Sequence, residues 1–194
     1  MSKKNIGLFF GTFNPVHIGH MVIASYMAEF ADLDEVWMVV SPHNPLKEKA
    51  SLLDDYQRLH MVNLAIDNHP KLKASDIEFK LSQPSYTINT LTHLNEKFPA
   101  FHFSLIMGSD NLESFKKWKN YERILEISNL IVYPRPGYNG GDLQNHPSVK
   151  WVEAPLMQIS STFIRNALKQ KKNLNYILPE KVLQYIQEMH FYEK

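Results

Sequence analysis

The sequence predicts an α/β domain: a doubly wound parallel sheet in three αβα layers, with a helical C-terminal part over about 159–194. Two observations carry that expectation. Short continuous apolar runs, among them Ile6–Phe10, Val36–Val40, Phe101–Met107 and Leu130–Tyr133, alternate with stretches of helical spacing. Continuous runs joined by helices mark strands buried on both faces, which is the signature of a parallel sheet. In addition, glycine, proline or polar clusters follow the runs at Gly11, Ser41, Gly108 and Pro134, all at the carboxyl edge where such sheets bind ligands.

Taken in order, the first strand ends at Gly11. Gly11-Thr12-Phe13-Asn14-Pro15 reads as a turn, because glycine permits close backbone approach and Asn and Pro punctuate. Helical spacing then runs through Ile18, Met21, Val22, Ala24 and Ala28 to about Ala31. Glu35–Val40 is the second strand, followed by a loop from Ser41 to Lys47 held by Pro42 and Pro45. Asp54 caps a helix whose stripe is Tyr56, Leu59, Val62 and Ala65-Ile66. Leu72–Leu81 reads as a short strand and an edge connection. A helix opens in Ser85–Leu91 and runs to about Lys97, before the strand Phe101–Met107 and a turn at Gly108-Ser109-Asp110. Asn111–Ile127 reads as two short helices joined at Trp118, and Leu130–Tyr133 as a strand. Tyr138–Pro147, rich in Gly and Asn, reads as a surface loop and a candidate for mobility. Val149–Val152 is a last strand; Ser160 or Ser161 caps a helix through Leu168, and Pro179 starts a final one ending near His190. The alternation as a whole predicts a Rossmann-like sheet.

The bulk numbers are those of an ordinary globular protein. A chain of 194 residues, 44% hydrophobic and 21% charged, reads as a single domain with a large core. The net charge of +1 gives no support for a nucleic-acid binder, so any basic site is local. Zero cysteines exclude disulfides and thiol catalysis and fit a reducing, cytoplasmic setting. The apolar run after Lys4 is too short for a signal peptide, and no run is long enough to span a bilayer. Homo-oligomerisation is compatible with the sequence, which does not specify it.

Two stretches carry chemistry. In Ile6–His20 a strand, a glycine turn and a helix start present His17 and His20 three residues apart on one face. Free amides at a helix start attract anions, and imidazoles add donors that can carry charge, so the stretch outlines a phosphate site. A zinc pair is the competing reading, but there is no Cys and no third ligand at a familiar spacing. In Ile159–Arg165, Ser160, Ser161 and Thr162 bring three hydroxyls to a helix start, with Arg165 one turn on. Hydroxyls, amides and a guanidinium suit a polyphosphate, which arginine can hold bidentately.

These residues also carry a resemblance. GTFNPVHIGH resembles the G-x-F-x-P-x-H-x-G-H signature of the nucleotidyltransferase superfamily, and ISSTFIR resembles its I-S-S-T-x-I-R motif. Ser85–Leu91 is similar to the S-Y-T-x-D-T-L run of the bacterial nicotinate mononucleotide adenylyltransferases, with Asn89 at the usual Asp position. The resemblance implies adenylyl transfer from ATP to nicotinate mononucleotide, with Mg²⁺ carried mainly by the ATP phosphates. It implies an ATP site of Gly11, Thr12, Phe13, Gly19, Ser160, Ser161 and Thr162, with Asp110 near the ribose and Arg135 as a weaker contact. His17, His20, Lys47 and Arg165 would serve the phosphates. Asn14, Thr87 and Trp118 would receive the pyridine nucleotide, Thr87 through its backbone N–H and Trp118 by stacking. Leu46 stands where the family's Pro-His-Lys run has histidine. Lys116, Lys117 and Lys119 would favour the acid over the amide, or form a plain basic face. The rivals are a nicotinamide or dual-specific enzyme, pantetheine-phosphate adenylyltransferases and glycerol-phosphate cytidylyltransferases, which share only the first motif, and a non-catalytic nucleotide sensor.

Overall fold

The computed structural model describes residues 3–42 and 52–193. Strands β1 (Lys4–Gly11), β2 (Glu35–Val40), β3 (Leu72–Ser75), β4 (Phe101–Gly108), β5 (Asn129–Tyr133) and β6 (Val149–Trp151) form one sheet in the order β3-β2-β1-β4-β5-β6. Every pairing is parallel. The order reverses between β1 and β4, so their carboxyl ends open a crevice rather than a covered edge.

Alternation along the strands separates two cores. Phe9, Val36, Met38, Ile106 and Ile131 face one side, and Ile6, Leu8, Leu105, Leu130 and Val132 the other. On the first side pack α1 (Ile18–Phe30), α2 (Asp55–Ile66), α6 (Ser161–Lys169) and α7 (Glu180–Glu188). The second side is covered by α3 (Thr87–Lys97), α4 (Ser109–Glu113) and α5 (Tyr121–Ile127), with Phe115 and Leu143 between them.

Most helix boundaries follow from local caps. Asp54 accepts the N–H of Tyr56 and opens α2, and Ser160 accepts that of Phe163 and opens α6. Differences from expectation are equally local. Ser109 and Asp110 are not a turn: β4 runs into α4 directly at Gly108. The two short helices expected after Asn111 are α4 and α5, with Trp118 at the join; what the sequence does not show is the 3₁₀ turn at Phe115–Lys117 before it. The stripe of α2 holds at Leu59, Val62 and Ala65-Ile66 but not at Tyr56, which is exposed, and it is completed by buried Arg58 and Met61. The 138–147 segment is tied down: Leu143 is buried, Lys116 pairs with Asp142 at 2.6 Å, and the Trp151 indole donates to the Gln144 carbonyl.

Candidate active site

At the reversal point lies a cleft of about 450 Å³, floored by the ends of β1 and β4 and walled by the starts of α1 and α6. Gly11, Thr12, Phe13, Asn14, His17, Gly19 and His20 line one side, and Ser160, Ser161, Thr162 and Arg165 the other. Asp110, Trp118 and Arg135 complete it. Segments some 150 residues apart in sequence therefore meet as the motifs implied.

The turn after β1 is built around an aromatic plug. Phe13 is buried with φ +45°, a left-handed conformation that costs a non-glycine residue of order 1 kcal/mol. Its ring lies against Gly11, where a Cβ would come within 2.8 Å of it. The Phe13 ring also meets His20 edge-on at 5.0 Å, and the His17 and His20 rings stack at 3.7 Å. His20 Nδ1 accepts the His17 backbone N–H at 3.3 Å. In the neutral ring that leaves the proton on Nε2, as a donor.

His17 is only 3% exposed, and its Nδ1 is buried with no hydrogen-bond partner among the described residues. Burial, with a smaller push from the Arg135 guanidinium, lowers its pKa to about 4. Of the two imidazoles that could carry charge, His17 is therefore held neutral at pH 7. The expectation of free amides at the start of α1 also narrows, because the Ile177 carbonyl accepts the Ile18 N–H.

The two motifs are joined directly. Arg165 Nη1 donates to the Asn14 carbonyl at 2.9 Å and Nη2 to Thr162 Oγ1 at 3.3 Å, while Ser161 Oγ donates to the Pro15 carbonyl at 3.0 Å. Opposite, Arg135 lies 3.9 Å from Asp110, and its backbone N–H donates to buried Ser109 Oγ at 2.8 Å. Gly108 lets these two side chains sit over the end of β4, since a Cβ there would run into Asp110 Oδ1 and the Arg135 stem.

The Trp118 side of the cleft is looser. Trp118 is half-buried and tilted on Phe115 at 5.0 Å. Thr87 opens α3 but does not line the cleft; Lys119 over the Tyr86 ring, at 4.3 Å, links that helix start to the Trp118 segment. Asn89 is exposed. Lys47 lies outside the described residues.

Arg58 is absent from the motif reading. Its side chain is fully buried and donates to the carbonyls of Thr12, Ser41, Leu53 and Pro42 and to Asp55. It staples the turn after β1 to the end of β2. The legible signal was its spacing, three and four residues before Met61 and Val62, which puts it on the apolar face.

Residues 8–167 match the cytidylyltransferase-like family, so the class is that of the nucleotidyltransferases. Full-length relatives carry a narrower name. The probable nicotinate-nucleotide adenylyltransferase of Flavobacterium psychrophilum is 61% identical over 191 residues, covering 97% of this chain and 99% of its own. Its namesake in Oceanobacillus iheyensis is 37% identical over 189 residues, 97% of each chain. Among solved structures, the nicotinic acid mononucleotide adenylyltransferase of Plasmodium falciparum complexed with NaAD superposes with a TM-score of 0.83, at 22% identity over 98% of each chain. At that identity the likeness is one of fold. The chain belongs to the nicotinate-nucleotide adenylyltransferase family.

Proposed function

We propose that this chain joins AMP from ATP to nicotinate mononucleotide, giving nicotinate adenine dinucleotide and pyrophosphate for NAD biosynthesis. The observation that carries the reading is the Arg165–Asn14 contact, which brings the two phosphate-type helix starts to one cleft. Family membership supplies the reaction class. A phosphate oxygen of the mononucleotide attacks the α-phosphorus of ATP. A P–O bond forms there as the bond to the β-phosphate bridging oxygen breaks, and pyrophosphate leaves with the electron pair. This chemistry needs in-line positioning and neutralisation of developing charge, not a side-chain nucleophile.

His20 Nε2–H serves as a donor to the α-phosphate region, with neutral His17 as its stacked neighbour. Arg165 and the hydroxyls of Ser160, Ser161 and Thr162 hold the β- and γ-phosphates, and Lys47 shares that load. Asp110 receives the ribose hydroxyls of ATP, flanked by Arg135. Asn14 and Trp118 receive the pyridine nucleotide. Mg²⁺ would accompany ATP, held by phosphate oxygens and water, and would neutralise charge developing toward pyrophosphate. No helix in the described residues is long and apolar enough to cross a membrane.

A pocket that accepts the amide as well is the second reading. It is favoured by one observation: Thr87, the expected contact for the pyridine carboxylate, does not line the cleft. Pyrophosphate release with ATP and Mg²⁺, comparing the acid with the amide, separates them. A large preference for the acid supports the first reading, comparable rates the second, and release with neither overturns both.

A further inference from the structure

We propose that Tyr192, in the C-terminal tail, is a positioning residue of the cleft: its hydroxyl holds the Asn14 side-chain amide in one orientation and thereby sets affinity for the pyridine mononucleotide. This deepens the reading of Asn14 as a nucleotide contact and rests on it.

The tail reaches the cleft by a defined route. Helix α7 ends in a Schellman arrangement, with the Phe191 N–H donating to the Ile186 carbonyl at 3.0 Å and the His190 N–H to Gln187 at 3.3 Å. His190 takes the left-handed position that glycine usually fills, at φ +53°. The Phe191 ring then packs on Tyr185 at 5.5 Å, which is the apolar contact this motif favours. A second left-handed residue, Tyr192 itself at φ +63°, turns the chain inward. Two such conformations in non-glycine residues are unfavourable alone and persist where a docked side chain holds them.

What the docking achieves is specific. Tyr192 OH donates to Asn14 Oδ1 at 2.7 Å, across 178 residues of sequence. The same Oδ1 accepts the Leu53 N–H at 3.3 Å. An amide oxygen with two donors on it fixes the ring-like plane of the amide and the direction of its NH₂ group, which is the donor half of the side chain. Asn14 is 3% exposed, lines the cleft, and through its carbonyl also seats Arg165. Burial pushes the Tyr192 phenol pKa up, so it stays a donor at any working pH.

The test uses the full chain with three variants, Tyr192→Phe, Asn14→Ala and the double, assayed with each substrate varied in turn and melted in parallel. Tyr192→Phe keeps the ring and removes one hydrogen bond, so KM for nicotinate mononucleotide should rise roughly three- to tenfold. Its KM for ATP and its kcat should stay within about twofold, because the removed bond does not touch ATP, and its melting temperature should fall by no more than about 4 °C, the share of one hydrogen bond. In the Asn14→Ala background, Tyr192→Phe should add nothing. If Asn14→Ala weakens the mononucleotide and Tyr192→Phe does not, the inference falls and the cleft reading survives. If neither changes it, both fall. Losses that are equal for both substrates, that add in the double variant, or that come with a melting temperature lowered by more than about 4 °C mark Tyr192 as a packing residue and overturn the proposal.

Discussion

The proposed phosphate end of the cleft and the proposed pyridine end are built differently. At the phosphate end, His17 is buried, Phe13 is locked in a left-handed conformation, and the 12–15 turn is held by Arg58, Arg165 and Ser161. The proposed pyridine end rests on a 3₁₀ turn, a half-buried tryptophan and exposed lysines, with Thr87 outside the cleft lining. The contrast follows the chemistry. Transition-state charge is stabilised by donors that need no rearrangement as the reaction proceeds. Ring recognition tolerates a softer wall, because stacking and burial depend weakly on exact angle.

If rigidity at the phosphate end rests on its staples, the largest effect should come from Arg58→Met. It keeps the stem but leaves the Thr12, Ser41 and Leu53 carbonyls without their donor. At 1–3 kcal/mol for an orphaned buried group, a loss of about 4 kcal/mol is expected in urea unfolding. A loss under about 1 kcal/mol would mean water satisfies those carbonyls equally well. Next is His20→Ala, which should lower kcat by about 10²–10³-fold with a modest change in KM if the imidazole acts in the transition state. A pure KM effect would move His20 into ground-state binding.

The buried imidazole gives a pH signature. His17 falls from 6.5 to about 4 on folding. Between those values the unfolded chain binds the proton and the folded chain does not, so stability falls as pH is lowered through that window. At 1.36 kcal/mol per unit the His17 share approaches about 3 kcal/mol by pH 4. Glu78, buried and shifted upward, works in the opposite sense, so the quantity to measure is the difference between wild type and His17→Gln across pH 4–7. Parallel curves would show that His17 is solvated. The smallest effect belongs to the soft end: Trp118→Ala should raise KM for the pyridine nucleotide by about tenfold, roughly 1.4 kcal/mol, and ATP's by less. Equal losses for both substrates would make Trp118 a core residue.

Legibility in the sequence follows the range of the signal. Asp54 and Ser160 announce their helices because a cap needs only the next two or three amides. The same locality misled at Ser109-Asp110, where turn-type residues start a helix that packs Leu112 into the core. In α2 the expected stripe fails only at Tyr56, which looks apolar but is exposed, while Arg58, which does not look apolar, is buried. Burial went to the arginine, since five oxygen acceptors await it there.

By itself, then, the sequence determined the alternating elements, the carboxyl-edge placement of Gly11, Gly108 and Pro134, and the two phosphate-type helix starts. Each depends on residues within about one helical turn or one strand. Only the tertiary structure decided that His17 is neutral, that Arg58 is a staple, that Thr87 lies outside the cleft lining, and that Tyr192 reaches Asn14. Those outcomes depend on desolvation and on partners far away in sequence, and both arise only once strand order 3-2-1-4-5-6 has folded α2, α6 and the tail onto one side of the first turn.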